Sequence, residues 1–181
     1  MKKILVIQNK RIGDVLIASV IAQNMKTVFP DSQIDYLVYD FTTGVIENNP
    51  NIDNIIAVNE KELKQFKFMQ RLIRRVKKNN YDIIFDPYSK LQSRIICYFS
   101  GASMRIGFQK RGKNPWFNFY THTVPLLDEK KHISGKAIED RINMFNCFFP
   151  LPENKIDYEP HIVLTDKEQQ YNKLEKYNKP A

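Results

Sequence analysis

Near the N-terminus, Asn9-Lys10-Arg11-Ile12-Gly13-Asp14 gathers two cations, a glycine and a carboxylate into six residues. A carboxylate beside cations suits proton abstraction from a hydroxyl, because an alcohol nucleophile needs a nearby base and Asp14 is the base this stretch supplies. Lys10 and Arg11 suit phosphate or carboxylate groups on a ligand. Gly13 allows a tight turn and a close backbone approach. Asp14 stands just before a helical pattern that starts at Val15, so it reads equally well as an N-cap, a favoured position for aspartate. The residues alone leave both readings open. The absence of a GxGxxG pattern argues against a dinucleotide site here.

A second set of candidates lies further on. Asp86-Pro87-Tyr88-Ser89 forms a polar turn, and Lys90, Arg94 and Arg105 are expected near it as partners for an anionic ligand. Lys110, Arg111 and Lys113 join Trp116 in an aperiodic basic stretch, where the indole suits the face of a sugar ring. His132 reads as a satisfied loop histidine. Cys97 and Cys147 fall in apolar helical patterns without CxxC or Cys/His spacing, so buried free thiols are expected, with no disulfide and no metal site.

These residues must be positioned by a βα alternation. Apolar runs at Ile4–Ile7, Ile34–Tyr39, Asn54–Val58, Tyr81–Phe85 and Arg105–Phe108 read as strands, and Tyr120–Val124 as a sixth. Helical spacing joins Ala18, Ile21, Ala22, Met25 and Phe29, then Leu63, Phe66, Met69, Ile73 and Val76, then Leu91 to Phe99, then Ile138, Ile142, Phe145 and Phe148. Gly101 is the expected residue just past the third of these helices. Strands separated by helices predict an α/β, Rossmann-like, mostly parallel sheet with helices on its faces. Asn9–Asp14 and Asp86–Ser89 then become βα loops on one edge, where open α/β sheets bind ligands. Pro150-Leu151-Pro152 divides the chain into a domain over 1–150 and a linker with the start of another unit over 151–181, where Thr165-Asp166-Lys167-Glu168 is a capping-box signature.

The formal charge of +8 is concentrated in one place. Between Lys61 and Lys78 eight cations face the single Glu62, a local balance of +7 that leaves the remainder nearly neutral. Arg71, Arg74 and Arg75 head the basic face. It suits a membrane surface or an anionic acceptor, then a merely solvated face, then nucleic acid, which is not expected because no helix-turn-helix partner or interleaved aromatics accompany it. No apolar run is long enough to span a bilayer and no secretory leader is visible, so a cytoplasmic location is expected.

Four segments together resemble the lipopolysaccharide heptosyltransferases: Arg11-Ile12-Gly13-Asp14-Val15; Phe29-Pro30-Asp31 leading into Ile34-Asp35-Tyr36-Leu37-Val38; Tyr81-Asp82-Ile83-Ile84-Phe85-Asp86; and Gly101-Ala102 through Arg105-Ile106-Gly107-Phe108. His132 followed by Glu139-Asp140-Arg141 adds to the series. The resemblance implies the N-terminal, acceptor-side half of a two-domain GT-B glycosyltransferase, inactive alone. It further implies Asp14 as the catalytic base of an inverting transfer. The substrate-binding set is Lys10, Arg11, Gly13, Lys90, Arg94 and Arg105. No cofactor is implied. The donor would be ADP-heptose or another nucleotide sugar, held mainly by the second domain. The other partner would be a lipid-linked saccharide acceptor at the inner face of the inner membrane, with peripheral membrane contact. A different class remains: a non-catalytic α/β module binding an anionic lipid, polysaccharide or membrane through its basic helix.

Overall fold

The computed structural model describes residues 1–109, 119–129 and 132–170. Its centre is a six-stranded sheet in the order β3-β2-β1-β4-β5-β6, formed by β1 (Lys3–Ile7), β2 (Gln33–Tyr39), β3 (Asn54–Val58), β4 (Ile83–Asp86), β5 (Met104–Phe108) and β6 (His122–Val124). Every neighbouring pair is parallel. The expected α/β fold is therefore present, and the sheet is parallel throughout the described strands.

Alternation along the strands divides the core in two. Ile4 and Val6 of β1 face one apolar layer with Ile34, Tyr36 and Val38 of β2, while Leu5 and Ile7 face the other with Leu37 and Tyr39. The first layer is closed by α1 (Ile12–Ala18), α2 (Val20–Val28) and α5 (Lys136–Asn146), and the second by α3 (Phe66–Lys78) and α4 (Leu91–Phe99). Burial on both faces explains why these strands read as near-continuous apolar runs.

Two helices depart from the sequence pattern. The helix expected to run unbroken from Val15 is divided at Ser19, whose backbone N–H and Oγ both donate to the Leu16 carbonyl, at 3.0 and 2.7 Å. A serine that satisfies a carbonyl of its own helix bends that helix. The Ala18 carbonyl accepts instead from the buried Tyr36 hydroxyl at 2.8 Å, so the bend ties helix to sheet. In the basic segment, Leu63 belongs to a separate 3-10 turn over Glu62–Lys64, and Gln65 caps α3. Helical spacing from Leu63 therefore fails: Leu72 and Val76 are buried, Met69 and Ile73 half-buried, and Phe66 is 76% exposed.

Gly101 closes α4 with φ +82°, as expected for a residue past a helix end. Cys97 is buried, but Cys147 is exposed at the end of α5, contrary to expectation; both are free. Beyond Pro150, residues 151–159 return across α2. There the Asn24 side chain donates to the Asp157 carbonyl at 2.8 Å and accepts from the Asp157 N–H at 2.9 Å. A short helix, α6 (Asp166–Gln169), carries the expected Thr165–Glu168 capping box.

One close approach is decided by a missing side chain. A Cβ on Gly107 would fall inside the ring of Tyr120, which is buried against β5. Gly107→Ala should force the ring off β5 and lower unfolding stability by about 1–3 kcal/mol, measurable by urea denaturation; an unchanged midpoint would show that the ring does not need this gap.

Candidate active site

In the sheet order, β1 is flanked by β2 and β4, and the connections after β1 and β4 leave in opposite directions. That is a topological switch point, and it leaves a crevice at the carboxyl ends of these two strands. Residues 8–14 form one wall and 86–90 the other.

On the first wall Arg11 is the N-cap of α1, its carbonyl accepting from the N–H groups of Asp14 and Val15 at 3.0 and 3.1 Å. Asp14 therefore lies inside the first turn of the helix, and the N-cap reading falls. Its Oδ1 accepts from Lys10 Nζ at 2.6 Å, and Nη2 of Arg141 on α5 approaches the same oxygen at 3.9 Å. The Asp14 side chain is 26% exposed, so the carboxylate is partly open while two cations approach one of its oxygens. Gly13 has a helical backbone rather than a turn, and a Cβ there would meet nothing within 4 Å. Its absence keeps open space beside Asp14. Beneath this loop Gln8 and Asn9 are buried; both amide atoms of Gln8 and Oδ1 of Asn9 are without partners among the described residues.

Arg141 was not among the site residues expected from the sequence. It is 8% exposed, with Nη1 donating to the Ala137 carbonyl at 3.2 Å and its guanidinium 5.8 Å from the Phe108 ring centroid. Burial lowers its pKa, against which Asp14 and Asp140 act. A signal existed: Ile138, Arg141, Ile142 and Phe145 follow helical spacing, and an arginine on a core stripe requires a partner. The neighbouring acids fix the approach to α5, Glu139 accepting from the His132 N–H at 2.8 Å and Asp140 from the Leu127 N–H at 2.9 Å.

The second wall is rigid. Asp86, fully buried, accepts from the Tyr120 hydroxyl at 2.6 Å and from the Ser89 N–H at 2.8 Å. Ser89 holds φ +50°, a strained conformation for a residue with a side chain. Its Oγ donates to the Asp86 carbonyl and accepts from the Phe108 N–H, with the Tyr120 oxygen 3.2 Å away, which fixes it there. Burial raises the Asp86 carboxyl to about 6, against the opposing hydrogen bonds of Tyr120 and Ser89 and the charge of Arg94. Burial beside that carboxyl also pushes the Cys97 thiol up.

The expected cations divide. Lys10, Arg11 and Lys90 are exposed at the crevice edge, Lys90 capping α4. Arg94 lies half-buried over the Tyr120 ring, 5.6 Å from its centroid. Arg105 is misplaced in the sequence reading: it sits two residues before Gly107 on β5, below the crevice, donating to the Ala102 and Phe119 carbonyls at 2.7 and 3.2 Å. Arg71, Arg74 and Arg75 lie on the solvent face of α3, outside the crevice. Lys110, Arg111, Lys113 and Trp116 lie outside the described residues. Among the described residues no group of acids, histidines and cysteines could hold a metal ion, and no helix is long and apolar enough to cross a membrane.

The model of glycosyltransferase family 9 (heptosyltransferase) matches residues 69–181. The chain belongs to glycosyltransferase family 9. It is 27% identical over 137 residues to lipopolysaccharide heptosyltransferase 3 of Escherichia coli, covering 73% of this chain and 38% of that protein. Its fold is shared with a glycosyl transferase family 9 structure from Veillonella parvula, with a TM-score of 0.77 at 20% identity over 92% of this chain and 46% of the other. E. coli ADP-heptose LPS heptosyltransferase II gives 0.68 at 18% identity over 98% and 51%. The chain thus spans about half or less of the relatives it matches, and its fold is that of the Rossmann-like half of GT-B glycosyltransferases.

The Asp86 environment gives a pH signature. A buried carboxyl with a raised folded pKa takes up protons on folding between its ordinary 3.8 and about 6, so its favourable contribution is complete below 3.8 and is lost as pH rises through about 6. Relative to Asp86→Asn, the wild-type chain should lose on the order of 3 kcal/mol between pH 4 and pH 7. Denaturant titrations of both proteins across that range check it, and parallel pH profiles would refute it.

Proposed function

We propose that this chain is the acceptor-side half of an inverting heptosyltransferase that transfers heptose from ADP-heptose to a lipopolysaccharide-core saccharide. Family membership supports a sugar transfer, and the names of the relatives support the donor and acceptor classes. The observation that carries the reading is the carboxylate of Asp14 at the switch-point crevice, approached at one oxygen by Lys10 and Arg141 and partly open.

In this reading the acceptor hydroxyl lies against Asp14. The carboxylate takes the hydroxyl proton as the oxygen forms a bond to the anomeric carbon, and the bond from that carbon to the diphosphate breaks, its electron pair leaving with ADP. Attack opposite the leaving group inverts the anomeric centre. Lys10, Arg11 and Lys90 line the edge and suit the acids and phosphates of the acceptor, while Arg94 supports the second wall. The donor is held mainly by the half of the enzyme that this chain does not span, so the chain alone transfers nothing, and no cofactor is required. The reaction belongs on the cytoplasmic side of the inner membrane, where ADP-sugars and a lipid-linked acceptor meet. The non-catalytic module has no comparable observation in its favour, since an anion-binding helix is compatible with an enzyme.

Asp14→Asn in the full-length enzyme should lower kcat for heptose transfer by about 10²–10⁴-fold with little change in acceptor KM. Normal turnover of that variant would remove Asp14 as the base.

A further inference from the structure

Tyr39 ends β2 at the carboxyl edge of the sheet, next to β1, and the chain turns there through a 3-10 helix over Asp40–Val45 that packs against α1. Hydrogen bonds lock this turn. Asp40 accepts from the Phe41 N–H through Oδ1 at 2.8 Å and from the Asn59 side chain through Oδ2 at 2.9 Å. The buried Thr42 hydroxyl donates to the Tyr39 carbonyl at 2.7 Å. The backbone on either side of Phe41 is therefore fixed.

The Phe41 ring is 56% exposed, yet it is held: it stacks on the buried ring of Tyr39, with centroids 5.5 Å apart and planes 20° from parallel. Tyr39 in turn hydrogen-bonds with Tyr88 of the second wall. Aromatic side chains thus run from the end of β2 to the loop after β4, across the end of β1 where the crevice lies. A lone apolar side chain that turns freely in water needs no explanation. A ring clamped on one face beside a crevice presents its other face in a set orientation, and little freedom is left to lose when a ligand arrives.

The surroundings select the ligand. An aromatic face suits the C–H face of a sugar ring. The Asp40 carboxylate, adjacent in sequence, retains acceptor capacity for hydroxyl groups beyond its two bonds, and its charge disfavours a carboxylate or phosphate on a ring stacked there. The cations that suit such groups, Lys10, Arg11 and Lys90, lie on the loops after β1 and β4 instead.

We infer that Phe41 is a stacking platform for an uncharged pyranose ring of the acceptor saccharide, whose acidic groups lie at Lys10, Arg11 and Lys90. The inference rests on the crevice being the acceptor's seat, and adds that this acceptor carries a neutral ring beside its charged part.

The test is an NMR titration of the 15N-labelled 181-residue chain with methyl β-glucopyranoside, whose equatorial substituents leave both ring faces to C–H bonds, and separately with methyl β-glucuronide. The neutral glycoside should shift the amides of residues 40–43 and move its own ring protons upfield, as stacking over an aromatic face requires. Phe41→Ala should weaken this binding by about threefold or more, and Phe41→Trp should retain or tighten it. The glucuronide should act on the same amides at least about twofold more weakly, and Asp40→Asn should abolish the difference. The amide spectrum of each variant reports its folding. No shift at residues 40–43 with 100 mM glycoside, equal affinity in Phe41→Ala, equal affinity for the glucuronide, or tighter binding of adenosine than of the glycoside at these residues would each overturn the inference. No sugar transfer is read, so these outcomes are separate from the Asp14→Asn kinetics that judge the reaction.

Discussion

Parallel pairing of β1 with β2 on one side and with β4 on the other sends the two outgoing connections to opposite faces of the sheet. The next segments cannot cover the gap between them, so the carboxyl ends of β1 and β4 stay open. The loop that leaves β1 must then pass directly into α1, which brings Asp14 into the first turn beside the opening. Every other candidate residue takes its meaning from its distance to that gap. Lys10, Arg11, Lys90 and Arg141 lie beside it, Arg94 and Asp86 brace its far wall, and Arg105 and the α3 arginines lie away from it.

The two walls differ in kind. Around Asp86 the polar groups satisfy one another: carboxylate, tyrosine hydroxyl, serine hydroxyl and backbone N–H form a closed network, and Gly107 leaves room for the tyrosine ring. Burying a carboxylate is costly even when it is hydrogen-bonded, and its raised pKa records the cost. Around Asp14 the interactions are few and half-exposed, and both amide atoms of Gln8 and Oδ1 of Asn9 below have no partner among the described residues. A fixed wall facing a polar, incompletely satisfied one is the asymmetry expected where one side shapes the ligand's seat and the other reacts with it.

Much of this was legible from residue types. Near-continuous apolar strands such as Ile4–Ile7 and Ile34–Tyr39, alternating with helical stripes, define a parallel sheet buried on both faces. They also place the loops after β1 and β4 on one edge. What pattern could not supply were the places where one contact overrides it. Ser19 bends its helix because its hydroxyl and N–H compete for one carbonyl. Leu63 drops out of the α3 stripe because Gln65 starts the helix two residues later, which leaves Phe66 outside the core. Arg105 read as a crevice cation because it follows the second loop closely in sequence, yet register puts it below Gly107 with its donors spent on carbonyls. Arg141 was hidden because its partner lies over a hundred residues away, although its position on a core stripe was visible.

The central claim is that the acceptor lies in the crevice between the β1 and β4 loops. Amide hydrogen exchange of the full-length enzyme, with and without a saturating acceptor saccharide, tests it most directly. Slowed exchange is expected at residues 9–14 and 86–90, with no change at the opposite edge of the sheet, over 31–33 and 79–82. Protection at that opposite edge, with residues 9–14 unaffected by saturating acceptor, would contradict it.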